Sequence, residues 1–417
     1  MKKILYICLG LSLTACSSSQ WDTVETPDEA SVYQMLQTES LSERSNLFLT
    51  QKDSIDLPKS VRPCCAFGNE QSVELASVKI PLFHLPNTVD IESIGPHIYG
   101  AGQFDSRRAQ GKKLPQIENN GMLYTVRGGF IDMAHVRDTA DNTIGLFYKI
   151  YPQLGQAFTI ELSPELGARQ IEFKAFDTSG LNARDRKHMA IMLAAFYAFK
   201  MAEGHEISQW HGYESFPLFS ELVSAYSIED LYSNMLGAKL AAKLLTDDLA
   251  SSFDDYNQNM TVWIHSALNV LGPYEKDQTA EIFKQIDGLW WDSSTPIPNK
   301  YMVLKRNYNL TATQTPALVD LNDLPLDKAA DLRSLIASDV KPQRLALADQ
   351  SAGILFSDIS KMTMAIDKKY QASFSHIPSS LYPNDVIDAQ NYDQIARYDE
   401  TFDKNEYQQW VKDHKSK

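Results

Sequence analysis

Residues 122–148 read MLYTVRGGFIDMAHVRDTADNTIGLFY, and this stretch decides the class of fold. Residues 122–126 are mostly apolar, aromatic or β-branched, which is typical of a strand. Gly128 and Gly129 interrupt the strand, because glycine weakens regular structure. From Phe130 to Tyr148 the pattern predicts a helix. A strand, a Gly-Gly turn and a helix in one unit predict a fold that contains both helices and strands.

The sequence around this unit predicts a single α+β body in which helices dominate. Further strands are expected at 78–83, 157–162 and 171–176. Apolar spacing predicts helices at 185–206, 228–245, 258–270, 277–288, 328–350 and 352–370. Ser227 and Asp230 have the spacing of a capping box for the helix at 228–245. We therefore expect a β-containing half at 56–183, followed by a mainly helical half at 184–417 with a polar C-terminal tail.

Composition excludes several classes of function. The chain has 417 residues, of which 43% are apolar and 22% charged, so wholesale disorder is excluded. Acidic residues number 53 and basic residues 39, which gives a net charge of −14. A chain this acidic is a poor candidate for nucleic-acid binding, which requires a basic face. The only long apolar run lies at the N-terminus, so the chain is not a polytopic membrane protein.

The N-terminus predicts the cellular address. Residues 1–15 combine two early lysines with a short apolar run that ends in Leu-Thr-Ala before Cys16. This resembles a bacterial lipoprotein signal peptide, in which the cysteine is lipidated and becomes the new N-terminus. Ser17, in place of the aspartate that retains such proteins at the inner membrane, favours the outer membrane. We expect a lipid anchor at Cys16 on the periplasmic face, and a tether with a short helix over residues 16–55.

Three polar residues make the first candidate site. At about 100° per residue, Asp132, His135 and Asp138 share one face of the predicted helix. A carboxylate can orient an imidazole for acid/base catalysis, or both can bind a divalent metal. These three are therefore the candidate catalytic residues. The alternative is structural, since Asp132 in a first turn can simply complement the helix dipole.

A second candidate lies at the end of the helix predicted at 185–206. His205-Glu206 resembles the start of the zinc-protease motif HExxH, but the next histidine, His211, follows at the wrong spacing. A zinc protease is therefore not supported. His205 and Glu206, together with His135, are candidate ligands of a divalent metal. The alternative is a histidine that caps the end of the helix.

Other signals are weaker. Cys64 and Cys65 have candidate partners in His97 and His135 but no clear activating context in the sequence, so a buried thiol or a strained vicinal disulfide is favoured over catalysis. The chain has no Walker loop, GxGxxG, GxSxG or CxxC motif. These absences argue against nucleotide hydrolysis, dinucleotide redox chemistry, α/β-hydrolase activity and thioredoxin-like exchange.

Several blocks together resemble an uncharacterised family of bacterial lipoproteins, domain-of-unknown-function family 4056. The most specific block is His-Val-Arg-Asp at 135–138, and the resemblance extends over most of the chain from about residue 60. The other blocks are Arg62–Gly68, Glu118–Gly121, Tyr124–Thr125, Arg127–Asp132 and Ser227–Gly237. The resemblance implies a lipoprotein address and no particular activity.

Two classes of function remain open. The first is a periplasmic hydrolase or transferase that acts on envelope material through the His/carboxylate residues, with or without a divalent metal. The second is a non-catalytic outer-membrane lipoprotein that binds a partner or stabilises an envelope assembly; the identity of that partner is not encoded in any motif. Convergence of His135 with His205 or Glu206 in one pocket would favour the first class.

Overall fold

A computed structural model describes residue 24 and residues 26–39, 55–59, 61–62, 66–75, 78–85, 87–101, 118–215, 221–337 and 339–414. The predicted signal peptide, Cys16 and the Cys64–Cys65 pair lie outside these residues. The α+β class is confirmed, with helices as the dominant element. None of the helices described is both long enough and apolar enough to cross a membrane.

The segment around the Gly-Gly pair is a β-hairpin that runs directly into a helix. Strand β3 (Met122–Thr125) pairs antiparallel with β4 (Gly129–Asp132), and α2 (Met133–Ile150) begins at the next residue. The expectation that the helix starts at Phe130 is therefore wrong. Phe130 pairs with Tyr124 across the hairpin, so tertiary pairing decides the conformation of this short apolar run.

Three long helices form the centre of the molecule. They are α2, α3 (Ala183–Trp210) and α4 (Asp230–Thr246), and every residue of α4 is buried. A helix that is buried on all sides must be apolar on most faces, as this one is. Helices α1 (Glu29–Gln37) and α5 (Phe253–Leu271) pack beside it. The helices predicted from apolar spacing at 185–206, 228–245 and 258–270 are thus confirmed.

The start of α4 differs from the predicted capping box. The side chain of Ser227 donates a hydrogen bond to Glu229 Oε2, at 2.6 Å, and does not cap the helix. Helix α4 begins at Asp230, which lies in its first turn. Two acidic residues, Glu229 and Asp230, are therefore placed at the buried N-terminus of a central helix.

A four-stranded antiparallel sheet covers the other side of α3. Its order is β12 (Val386–Asp388), β11 (Ser360–Ala365), β6 (Arg169–Phe173) and β5 (Phe158–Leu162). Ile160, Ile171 and Met362 lie side by side in register and face the core. The sheet joins strands that are nearly 200 residues apart in the chain.

Two predicted helices in the C-terminal part are wrong. Among the described residues of 328–350, the only helix is the end of α7 (Leu326–Leu332). The range 352–370 contains the short α8 (Phe356–Ile359) and strand β11. In β11 buried and less buried residues alternate, which is the period of a strand. The remaining elements are α6 (Lys276–Gln285), α9 (Tyr392–His414) and the short pairs β1 (Gln71–Leu75) with β2 (Val78–Leu85), β7 (Thr313–Gln314) with β8 (Leu345–Ala346), and β9 (Gln350–Ser351) with β10 (Ile354–Leu355).

Candidate metal centre

The starts of two central helices bring three potential metal ligands together. Asp132 ends β4, His135 lies in the first turn of α2, and Asp230 is the first residue of α4. One ligand atom from each residue lies within 4.8 Å of the other two. All three side chains are buried. Two of these residues were predicted from sequence, while Asp230 was taken as a capping residue only.

Local hydrogen bonds fix this arrangement. Asp132 is the N-cap of α2, and its Oδ1 accepts a hydrogen bond of 2.7 Å from the Ala134 backbone N–H. The Asp132 backbone N–H donates to the Ser233 hydroxyl on α4, at 3.0 Å. His135 Nε2 lies 3.1 Å from Asp230 Oδ1. The two helix starts are thereby held against each other.

Two further carboxylates complete what we call the acidic cluster, defined as Asp132, His135, Glu206, Glu229 and Asp230. Glu206 Oε2 accepts a hydrogen bond of 2.6 Å from the Tyr226 backbone N–H. Glu206 lies close enough to Asp230 and His135 for both residues to affect its pKa. Glu229 precedes Asp230 and is affected by Asp230 and Asp132. The cluster thus contains four buried carboxylates and one imidazole.

Five carboxylate oxygens in this cluster are buried and have no hydrogen-bond partner among the described residues. They are Asp132 Oδ2, Glu206 Oε1, Glu229 Oε1, and both Oδ1 and Oδ2 of Asp230. Asp230 Oδ1 is near the His135 ring but is not aligned for a hydrogen bond. No lysine or arginine of the described residues forms an ion pair with any of the four carboxylates. Buried polar atoms are nearly always satisfied in proteins, so these oxygens are candidate ligands for a cation.

The pKa values show the cost of this arrangement. Burial raises the pKa of Asp132 to about 6, and the neighbouring Asp230 adds to the increase. Burial and the charge of Asp230 raise the pKa of Glu206 to about 8. The same two causes raise the pKa of Glu229 well above its usual range. Like charges held together in a dry site disfavour ionisation, and a bound divalent cation reverses this effect.

The acidic cluster is nearly closed to solvent. His135 is the most exposed member, with 9% of its side chain accessible, while the Asp230 side chain is fully buried. A narrow crevice reaches Glu229, between Tyr232 and the Pro316–Ala317 segment. In this structure the crevice is too narrow to admit even a water molecule.

Asp138, the third residue of the predicted helix face, belongs to a different site. Its Oδ1 accepts a hydrogen bond of 2.7 Å from Arg62. The same guanidinium group binds Glu118 and Asp141, and His97 Nε2 lies 2.9 Å from Asp141. His135 and Asp138 are on the same side of α2, but Asp138 binds Arg62, which lies 76 residues earlier in the chain, and does not belong to the acidic cluster. The structure thus places Asp138 in a different site from Asp132 and His135.

We call this second site the arginine cluster, defined as Arg62, His97, Glu118, Asp138 and Asp141. Its charges predict that the free energy of unfolding falls at acidic pH. Although burial opposes ionisation, Arg62 and His97 hold the pKa of Asp141 at about 2. Because the pKa of Asp141 in the folded protein lies below its ordinary value of about 3.8, the ionised carboxylate stabilises the fold at pH values above about 3.8. This stabilisation is lost as the pH falls towards 2. Asp141→Asn should therefore lower the free energy of unfolding at neutral pH, and the deficit should shrink between about pH 4 and pH 2.

Denaturant unfolding at a series of pH values measures this deficit. The exposed Asp327 provides the matched control, and Asp327→Asn should follow the wild-type curve throughout. A deficit for Asp141→Asn that stays constant down to pH 2 would show that the Asp141 charge contributes nothing.

The structure separates the two residues of the His205-Glu206 pair. His205 Nδ1 lies 3.2 Å from Glu165 Oε1, and its Nε2 lies 3.7 Å from Glu221. Although burial opposes it, Glu165 raises the pKa of His205 to about 9. Successive residues of a helix point in different directions, so Glu206 joins the acidic cluster while His205 does not. His211 lies elsewhere again, with Nδ1 2.8 Å from the Ser373 hydroxyl.

Sequence reasoning missed Glu229 and Asp230. The available signal was the pair of acidic residues directly before a helix that is apolar around its whole circumference. Carboxylates are rarely buried unless they are paired or bind a metal, so their presence at the start of a buried helix is informative.

Comparison with known families supports membership but gives no activity. The profile of a family described as a protein of unknown function, DUF4056, matches residues 52–320. The chain belongs to this family, and the matched region contains all five residues of the acidic cluster. No match was found among curated proteins or among solved structures.

Proposed function

We propose that this chain is a lipid-anchored envelope protein that binds a divalent metal ion through Asp132, His135 and Asp230. The observation that carries the proposal is the group of five buried carboxylate oxygens without a hydrogen-bond partner among the described residues. The lipoprotein-like N-terminus supports the address, with attachment through Cys16 to the periplasmic face of the outer membrane.

The contrast between the two buried polar sites supports a missing cation. In the arginine cluster, Arg62 makes hydrogen bonds to Glu118, Asp138 and Asp141. In the acidic cluster the described residues provide the carboxylates with the His135 imidazole but with no lysine or arginine, and His205 acts on Glu206 from outside the cluster. Burial of uncompensated charge costs several kcal/mol per ion, so a fold that pairs its carboxylates at one site is not expected to leave them unpaired at another.

The donor set suits a small divalent ion. Two carboxylates and one imidazole can provide three ligands, which leaves a coordination position for a further group. Asp132 fits this role because Oδ1 is used to cap α2 while Oδ2 has no partner among the described residues. A bound divalent ion polarises a carbonyl or phosphoryl group and lowers the pKa of water. Manganese and zinc both accept such ligands.

The site also offers a group for acid/base chemistry. Glu229 belongs to the acidic cluster and at the same time lines the narrow crevice. Because the crevice admits no water-sized group in this structure, Glu229 can donate or accept a proton at a substrate only when the Pro316–Ala317 segment moves aside. We therefore favour a metal-dependent hydrolase or transferase of envelope material, with Asp132, His135 and Asp230 as ligands and Glu229 as the acid/base group.

Metal content is the direct test of this proposal. The mature protein, purified without chelator, should contain close to one divalent ion per chain by elemental analysis. His135→Ala and Asp230→Asn should each lose most of that metal. His188→Ala is the matched control, since His188 lies on α3 outside the acidic cluster, and it should keep the metal. Equal metal content in all four proteins, or no metal in the wild type after incubation with manganese or zinc, would refute the proposal.

The stability difference between Asp230→Asn and the wild type should have opposite signs in the metal-free and the metal-bound protein. After chelation the wild type must fold with unpaired carboxylates, so Asp230→Asn should melt at a higher temperature than the wild type. With metal at about 100 times its dissociation constant, binding stabilises the wild type by about 2.7 kcal/mol and should reverse the order. If Asp230→Asn is the less stable protein in both conditions, the carboxylate has a structural role that needs no cation.

The second candidate is a non-catalytic lipoprotein in which the metal only stabilises the fold. The nearly closed acidic cluster favours it, because a structural metal site is typically shielded from substrates. The two candidates differ at Glu229. Glu229→Gln should abolish an envelope phenotype while retaining metal if the site is catalytic, and should leave the phenotype intact if it is structural.

A further inference from the structure

A second concave region lies at the end of α3 and shares no residue with the acidic cluster. It is a groove of about 370 Å³, within the range of roughly 300–1,000 Å³ that small-molecule sites occupy. Three aromatic residues line it, namely Trp210, Tyr301 and Phe402. They come from α3, from the loop before β7 and from α9, so the groove exists only in the folded chain.

Further rings on α9 pack against this aromatic surface. The Tyr301 and Trp410 ring centroids are 4.9 Å apart, and Tyr407 stacks on Trp410 at 6.0 Å. Aromatic rings of this kind provide a large and rigid contact area at low entropic cost. Tyr407 and Trp410 do not line the groove themselves but pack against Tyr301 and support it from behind.

Hydrogen-bonding groups alternate with the rings. Ser373 and Ser375 bring hydroxyl groups to the groove, and Lys300 and Glu406 bring charged groups. The Lys300 ammonium group lies over both the Trp210 and the Tyr301 ring, at 5.4 and 5.2 Å from their centroids. The groove therefore combines apolar faces with donors and acceptors, which an apolar docking surface does not.

The charges at the groove cancel. Lys300 pairs with Asp403, at 2.8 Å, and with Glu406. Arg306 Nε lies 3.7 Å from Asp403 as well. Two cations and two anions in contact leave no net charge to attract an anion or a cation. An ionic ligand is thus disfavoured, and in particular a nucleic acid.

A buried network holds the wall of the groove in place. His376 Nε2 lies 2.8 Å from Asp399 Oδ1, and the Tyr226 hydroxyl donates to Asp399 Oδ2 at 2.6 Å. The His376 ring packs against Trp210 and Phe402, with centroids 5.1 and 4.4 Å away. Walls that are fixed before binding lower the entropic cost of binding.

We infer that this groove binds a neutral oligosaccharide chain of hexose or N-acetylhexosamine units. A sugar ring has an apolar face of C–H groups, which packs on the electron-rich face of an aromatic ring. Its edge carries hydroxyl groups, for which Ser375 and Glu406 supply a donor and acceptors, whereas the Ser373 hydroxyl already contacts Tyr370 and His211. Of the rings that line the groove, Trp210 is only 8% exposed, so the half-buried Tyr301 and Phe402 are the rings available to a sugar. This inference does not depend on the metal site.

Isothermal titration calorimetry of the mature full-length protein tests the inference with three probes, the linear tetramers of β-1,4-glucose, α-1,4-glucose and β-1,4-N-acetylglucosamine. At least one should bind saturably. Tyr301→Ala should weaken that binding by about tenfold or more, the size of effect expected for a central aromatic contact. Tyr301→Phe retains the ring face and should stay within about twofold of the wild type.

Tyr398 provides the matched control because it lies on α9, is 42% exposed and does not line the groove. Tyr398→Ala should bind like the wild type. The inference is overturned if none of the three tetramers binds, or if Tyr301→Ala binds as well as Tyr398→Ala does. Binding of an apolar peptide in the absence of any sugar binding would likewise overturn it and assign the groove to a protein partner.

Discussion

Replacing Arg62 by methionine should destabilise the protein by about 3–5 kcal/mol, the cost of removing one partner from a buried ion pair. The Arg62 side chain is 1% exposed and binds three carboxylates, those of Glu118, Asp138 and Asp141. Methionine fills much of the same volume but leaves these carboxylates without their cation. A loss of this size is a large share of the stability of a typical domain, which is about 5–15 kcal/mol, so the variant should unfold at a much lower denaturant concentration.

Equilibrium unfolding in urea measures this loss. The matched control is Lys284→Met, which removes an ion pair with Glu281 at the surface, where the lysine side chain is 71% exposed. Exposed pairs contribute about 0–1 kcal/mol, so this variant should unfold close to the wild type. If Arg62→Met loses no more stability than Lys284→Met, the ion pairs of the arginine cluster do not stabilise the fold as proposed.

Gly237→Ala should be nearly as damaging, for a steric reason. Gly237 lies in α4 where this helix crosses α2, and a Cβ atom there would be only 2.0 Å from the carbonyl oxygen of Val136. Backbone atoms cannot move aside as a flexible side chain can, so the two helices must separate. Overpacking of a core commonly costs about 1–3 kcal/mol, and the rigidity of the obstacle places this case at the upper end.

The same substitution should also weaken metal binding, because His135 lies on α2 and Asp230 on α4. Thermal unfolding with and without metal measures both effects. Gly180→Ala is the control, since a Cβ atom at Gly180 would have no neighbour within 4 Å. That variant should melt like the wild type. A Gly237→Ala protein that keeps both its stability and its metal would show that the helices are not as close as the structure places them.

The central helices could be predicted from the sequence because their signal is local. Apolar residues recur at helical spacing in α4 and α5, and α3 is apolar on most faces, so burial leaves a direct trace in the pattern. Strand β11 shows the opposite case. Its buried Met362 and Met364 alternate with polar residues over too few positions to be distinguished from a helix without knowledge of the β6 partner.

The acidic cluster was only half predictable, for a related reason. Asp132 and His135 are close in sequence, so their proximity follows from local spacing. Asp230 and Glu206 reach the same point through the packing of α3 and α4 on α2, which no local pattern encodes. Asp138 fits the local pattern equally well but is bound by Arg62. Spacing along a helix identifies which residues can meet, and long-range partners decide which of them do.

The most direct measurement of the central claim is the position of the ion. Crystals of the mature protein soaked in manganese should show one anomalous peak among Asp132 Oδ2, His135 Nε2 and an Asp230 carboxylate oxygen, at about 2.0–2.3 Å from each. Crystals of Asp230→Asn treated in the same way should lack this peak. A wild-type crystal without a peak at these three residues, with its only manganese at surface carboxylates, would contradict the account.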